Sequence, residues 1–356
     1  MKPRKRKQVK INRRDFFTKT ALGGLGLSFL SFTPQNTQQK RLQANPKSFT
    51  IPQDSLPSPY ALNLSPAQWI WYPAGRTLCN TVVLFRRGFK LTAPVKKASG
   101  WIVADSRYRL FVNGKRVQWG PAPSDPRWVE ADPLDLSEFL KEGENVIGVE
   151  VLYFGLGDGT WPIGKPGFLF NLEVETRDGN VLKIVSDLSW QTLLARSWKP
   201  GQYKRWFIRA LQEEFDARLY PYGWLQTEFK PGKEWLPPIN LGCPADKPSS
   251  CAAYPEYATE IRGSKEVSEL RRRSIPMLKE TLVPAKQLSE SLWIQWNRSP
   301  HDYFDNLTPD CFEAIRKPSA TQVDTGSWKV TLDGERAAAL TFELEEQVVG
   351  WPCFTI

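Results

Sequence analysis

Two β-prone runs, Arg107–Val112 (RYRLFV) and Lys115–Trp119 (KRVQW), are separated only by Asn113-Gly114. A pair of residues that both accept positive φ, set between such runs, is the signature of a two-residue type I′ turn, which forces antiparallel pairing. Asp178-Gly179, between Phe168–Thr176 and Val181–Ser186, reads as a second such turn. Asn80–Leu91, Gly100–Ala104 and Asn145–Phe154 repeat the texture of short strands bounded by turn signals. No amphipathic helix interrupts them for long. Asp135–Lys141 (DLSEFLK) is expected to make one helical turn, with Asp135 or Ser137 as its cap. Strands this short and this closely spaced predict an all-β chain whose residues 64–215 form an antiparallel jelly-roll β-sandwich.

Beyond that point prolines punctuate the chain at 221, 231, 237, 238, 244, 248 and 255, so 216–275 reads as an irregular Pro-rich connection. Strands are expected again at Leu292–Trp296, Trp328–Leu332, Ala338–Leu344 and Val348–Ile356. These make 276–356 a second β-sandwich. The last segment still reads as a strand where the sequence stops, so this sandwich is expected to be truncated, or to need a partner along its edge.

The formal charge of +10 suggests a nucleic-acid or anionic-membrane binder until the charges are located. Residues 1–44 carry eleven Lys and Arg against Asp15 alone, which leaves 37 basic and 37 acidic residues for 45–356. The body is charge-neutral, and no nucleic-acid partner is expected. In the basic segment, Arg13-Arg14-Asp15-Phe16-Phe17-Thr18-Lys19 precedes an uncharged, glycine-containing stretch from Thr20 to Pro34 that is too short to span a bilayer. That order of basic, Arg-Arg-x-Phe, apolar and polar segments resembles a twin-arginine signal peptide carried by Arg13, Arg14 and Phe16, with the twin-arginine translocase as a transient partner. Residues 45–63 then read as a Pro- and Ser-rich linker, and the mature chain is expected in the periplasm or outside the cell. The body, with 15 Trp in the whole chain, has ample material for packed cores.

The five cysteines form no framework, although Cys243 and Cys251 share one loop and are close enough in sequence for a disulfide. No C-x-x-C spacing exists and His301 is the only imidazole, so a zinc site is not expected. No D-x-D-x-D-G loop appears either; no cofactor is expected, and a structural Ca²⁺ is left open. Acidic pairs such as Asp132 with Asp135, or Glu213 with Glu214, read as solvated surface groups, and no catalytic residue is assigned. Gly155-Leu156-Gly157-Asp158-Gly159-Thr160-Trp161 lacks the Lys-Ser/Thr of a phosphate loop and reads as a loop at one end of the sandwich. There Asp158 and Trp161 are candidate sugar contacts, an aromatic face for the C–H side of a pyranose beside a carboxylate for its hydroxyls; the alternative is a turn whose Trp packs on a neighbouring domain. Trp119 and Trp128 invite the same reading, while most of the other Trp are expected in the core.

Ala67-Gln68-Trp69-Ile70-Trp71, Asn80–Phe89, Ala104–Lys115, Ser124-Asp125-Pro126 and Leu140–Ile147, followed downstream by Glu234-Trp235-Leu236-Pro237-Pro238, Arg273–Glu280 and Leu340–Leu344, form an ordered set. The set resembles the N-terminal half of bacterial α-L-rhamnosidases and related inverting glycoside hydrolases. Glu345 departs from the pattern, standing where relatives commonly carry Gly. The resemblance implies a galactose-binding-like jelly roll leading into a further β-sandwich. It also implies that catalysis in such enzymes belongs to an (α/α)6 barrel with a Glu acid and a Glu base, for which this chain has no counterpart. The expected function is therefore that of ancillary, glycan- or polysaccharide-associated modules, with a separately encoded barrel as a candidate partner. The alternative is a stand-alone glycan-binding or envelope interaction module.

Overall fold

The structure is a computed structural model that describes residues 60–125, 129–155, 164–201, 215–242, 270–297, 312–315, 320–324, 327–330, 336–348 and 350. The first strands are β1 (Trp69–Trp71), β2 (Thr81–Leu91), β3 (Val95–Asp105), β4 (Arg107–Val112), β5 (Lys115–Gly120) and β6 (Glu130–Asp135). They are followed by β7 (Gly143–Tyr153), β8 (Gly167–Thr176), β9 (Val181–Val185), β10 (Gln191–Leu194), β11 (Ile239–Gly242) and β12 (Arg271–Arg272). One sheet runs β11-β1-β8-β3-β6-β12, with β9 also on β8, and the other runs β10-β2-β7-β4-β5. Between them lies a core that includes Phe85, Tyr108, Leu110, Phe168, Phe170 and Trp190. This is the expected jelly-roll sandwich.

Local chemistry sets the register. Asn113 and Gly114 both have positive φ, at 50° and 83°, as a type I′ turn requires. The Asn113 side chain then donates to Phe139 O and accepts from Val146 N, tying the hairpin to its neighbour. The second turn differs from expectation. Only Gly179 is left-handed there, and Gly179 N bonds Thr176 O while Thr176 N bonds Asn180 O. The loop therefore has three residues with the glycine at the αL position, and Asp178 accepts from Thr176 Oγ1 and Asn180 N rather than joining a I′ pair. Asp135 caps the single turn after β6 by accepting from Ser137 N at 3.0 Å.

Both sheets are also covered on their outer faces, so β8 is buried at consecutive positions Phe168, Leu169 and Phe170 and does not alternate. On the seven-stranded sheet, Leu64, Ala67 and Leu270 pack over Trp69, Val103, Ala131 and Leu169. On the five-stranded sheet, Trp224 and Trp235 pack over Val82 and Leu84. Arg86 holds that second cover by donating to Trp224 O and Gln226 O at 2.9 and 3.0 Å. The stretch expected as an irregular connection thus contributes β11, β12 and a cover, together with one 3-10 turn, Ala217–Leu219.

Further along, β13 (Gln287–Trp296) pairs with β14 (Phe312–Ile315) and β17 (Ala337–Glu343), while β15 (Ala320–Asp324) and β16 (Ser327–Val330) form a hairpin. Trp328 meets Phe342 edge to face at 4.7 Å. Among the described residues of these strands only Trp293 is buried. Val348 and Gly350 are not in a strand, and the rest of the expected final strand lies outside the described residues.

Candidate functional site

Pairing places several strand ends together at one end of the sandwich. Thr81 faces Tyr153, Arg107 faces Leu152, Tyr108 faces Gly120 and Asp105 faces Gly167. The stems of the segment carrying Asp158 and Trp161 emerge there, at Gly155 and Gly164. Asp158, Trp161 and Trp128 lie outside the described residues, as do Arg13, Arg14, Phe16, Cys243, Cys251, His301, Glu213 and Glu214. Trp119 is described: it lies near the end of edge strand β5, half-buried, with the Arg107 guanidinium 5.7 Å from its ring centre.

Asp105 and Ser106 latch the two stems. The Ser106 hydroxyl donates to Asp105 Oδ1 at 2.7 Å and accepts from Phe154 N at 3.1 Å. Asp105 Oδ2 lies so close under Gly164 that a β-carbon there would overlap it, and Tyr153 donates its hydroxyl to Gly164 O at 3.1 Å. Burial pushes the Asp105 carboxyl up to about 7, against a lowering contribution from Ser106. A carboxyl so placed is neutral below that point and can close the stems without bringing a charge with it.

A second network lies between the sheets and corrects the reading of Asp132 as a surface acid. The residue is fully buried, because its position opposite Ile102 on β6 turns it into the core. Tyr108 donates its hydroxyl to Asp132 Oδ2 at 2.5 Å, and Arg273 Nη1 donates to Asp132 Oδ1 at 2.7 Å. Desolvation raises the Asp132 carboxyl and the hydrogen bonds from Tyr108 and Arg273 lower it. Arg273 also donates to the carbonyls of Ile275 and Pro276, so the network fixes the chain where it leaves the jelly roll. Asp135, by contrast, is exposed, and its bonds from Ser137 hold it below the usual carboxylate range.

On the outer face of the five-stranded sheet, Arg109 on β4 forms an ion pair with Glu150 on β7. Sequence reasoning missed this pair, the Asp105 latch and Arg273. Alternation along RYRLFV, which sends Tyr108 inward and Arg109 outward, signals the first. Nothing in the sequence links Asp132 to an arginine 141 residues away. Among the described residues no three His, Cys, Asp or Glu side chains gather as they would around a metal ion. Asp105, through Ser106, and Asp132, through Arg273, are each tied to backbone groups.

Residues 93–259 match the family model of the alpha-L-rhamnosidase N-terminal domain. An α-L-rhamnosidase of Formosa agariphila is 27% identical over 161 residues, covering 42% of this chain and 17% of that protein. The crystal structure of the GH78 family rhamnosidase of Bacillus sp. GL1 aligns with a TM-score of 0.50 and 28% identity over 66% of this chain and 22% of the enzyme. The α-L-rhamnosidase of Aspergillus terreus aligns with a TM-score of 0.43 and 22% identity, covering 65% of this chain and 27% of that one. The chain thus spans about a fifth of the length of the first two relatives, at 17% and 22%. Its jelly roll is similar to the N-terminal domain of α-L-rhamnosidases.

Proposed function

We propose that the chain is an exported, glycan-facing ancillary module of an α-L-rhamnosidase-type glycoside hydrolase, acting by binding rather than by catalysis. The observation that carries this reading is the match of residues 93–259 to the N-terminal domain of such enzymes. In support, the stems at Gly155 and Gly164, which bracket Asp158 and Trp161 in sequence, open at the sandwich end where Trp119 also lies. The partners are a rhamnose-containing polysaccharide and an (α/α)6 barrel, and export proceeds through the twin-arginine translocase to the periplasm or beyond.

The purified chain should release no rhamnose from p-nitrophenyl rhamnoside and should be retarded in gels containing rhamnose-rich polysaccharide. Trp161→Ala and Asp158→Ala should each weaken that retardation roughly tenfold, about 1.4 kcal/mol. Robust hydrolysis overturns the ancillary role, and absence of retardation in every polysaccharide gel overturns the glycan reading. Replacing Arg13 and Arg14 by Lys should keep the chain in the cytoplasm; periplasmic recovery of that variant refutes twin-arginine export.

A further inference from the structure

We infer that the turn at residues 215–222 carries a second glycan-binding surface, an aromatic shelf of Phe215 and Tyr222 packed on Tyr220 that takes pyranose units of a polysaccharide. The inference rests on the glycan reading above and adds a site to it, on different residues from Asp158 and Trp161. Phe215-Asp216-Ala217-Arg218-Leu219-Tyr220-Pro221-Tyr222 sets its rings around the 3-10 turn Ala217–Leu219, which Asp216 caps. Between ring centres, Phe215 lies 4.8 Å from Trp198 and 5.5 Å from Tyr220, and Tyr222 lies 5.1 Å from Tyr220. Both outer rings are exposed, Phe215 at 42% and Tyr222 at 67%.

The backbone holds this surface still. Phe215 bridges to Trp198, and Asp216 N donates to Ser197 O at 2.8 Å. The half-buried Tyr220 accepts from Nε1 of the buried Trp224 at 2.8 Å, so the ring between the two exposed ones is pinned to the cover. Rings fixed before binding lose little freedom when a ligand covers them. A polar donor stands in the same turn. Arg218 donates from Nε and Nη2 to Asp216 at 2.8 and 2.6 Å, while its side chain stays 87% exposed and Nη1 has no partner among the described residues. A pyranose presents a C–H face that an aromatic ring covers, and a rim of hydroxyls to which a guanidinium donates. Size separates this ligand from a protein partner. At about 150–250 Å² per aromatic side chain, the exposed parts of Phe215 and Tyr222 offer roughly 200 Å², on the scale of a sugar face and well under the roughly 800 Å² that each side of a stable protein interface buries.

The test is affinity electrophoresis of the full chain in gels containing a rhamnose-rich polysaccharide. Tyr222→Ala should weaken retardation roughly threefold to tenfold, whereas Tyr222→Phe, which keeps the ring, should leave it unchanged. Arg218→Ala, at a side chain that is almost wholly in solvent, should weaken it several-fold. Wild-type retardation that Tyr222→Ala and Arg218→Ala both leave unchanged overturns the shelf while the glycan reading stands. Absence of retardation in every polysaccharide gel overturns both. Should Tyr222→Ala lose its cooperative urea transition, Arg218→Ala decides alone, and unchanged retardation of that variant overturns the shelf. A wild-type chain that sediments as a dimer and becomes a monomer on Tyr222→Phe or Tyr222→Ala would have a second copy over these rings, which also overturns it.

Discussion

Asp105→Asn tests whether a buried carboxyl makes this jelly roll less stable as pH rises. Folding lifts the Asp105 pKa from 3.8 to about 7 because burial disfavours the carboxylate. Between those values the folded state keeps a proton that the unfolded chain has released, so unfolding free energy falls with rising pH and levels off above the folded pKa. Roughly three pKa units at 1.36 kcal/mol each give a loss of about 4 kcal/mol across the window. The amide of the variant stays neutral and its oxygen still accepts from the Ser106 hydroxyl, so this contribution disappears. Urea melts of both proteins, followed by the fluorescence of buried Trp71 and Trp190, measure the difference from about pH 4 to about pH 8. The variant should gain on the wild-type protein steadily with pH and be the more stable of the two at the alkaline end. A difference that stays flat, or that changes in the opposite direction, refutes the assignment of a raised pKa to the latch.

Arg273→Ala leaves Asp132 buried without its cation and should cost about 3–5 kcal/mol, read as a lower urea midpoint; the double variant Arg273→Met with Asp132→Asn should recover much of that loss. Gly100→Ala directs a methyl group into the Asn171 backbone across the β3–β8 pairing and should lower stability by about 1–3 kcal/mol, whereas Gly143→Ala meets open space and is penalised only by its positive φ. Thermal melts of the two glycine variants separate these mechanisms, and an equal loss from both would count against the close β3–β8 approach.

The strands of the sandwich were legible because their signals are local. Asn113-Gly114 needs only its own two positive φ values, and Arg107–Val112 needs only period-two alternation. Asp178-Gly179 misled because a positive φ at Gly179 serves a three-residue loop as well as a two-residue one, and the Thr176 and Asn180 pairing that decides between them lies outside the dipeptide. The burial of Asp132 was illegible for a different reason. A carboxylate enters a core only when partners meet it there, and those partners come from β4 and from the residue after β12. The covers were hidden likewise, since Pro-rich sequence with scattered Trp carries no periodicity that says where it docks.

Those covers determine what folds as a unit, and a fragment ending at residue 215 tests it. Such a fragment keeps every strand of the five-stranded sheet but loses Trp224 and Trp235, which bury Val82 and Leu84. At about 1.5–3 kcal/mol per large side chain, exposing the surviving faces and removing both Trp forfeits roughly 6–12 kcal/mol, as much as a typical domain's whole stability. Cutting there also removes Arg273 from Asp132 and β12 from β6. A fragment of residues 60–276 should therefore show a cooperative urea transition, while 60–215 should show none. A cooperative melt of the shorter fragment at the same midpoint would mean that the cover contributes nothing. If the cover is integral, the outer face over Val82 and Leu84 is sealed by the chain itself, and that part of the five-stranded sheet belongs to the interior of the folding unit rather than to its ligand-accessible surface.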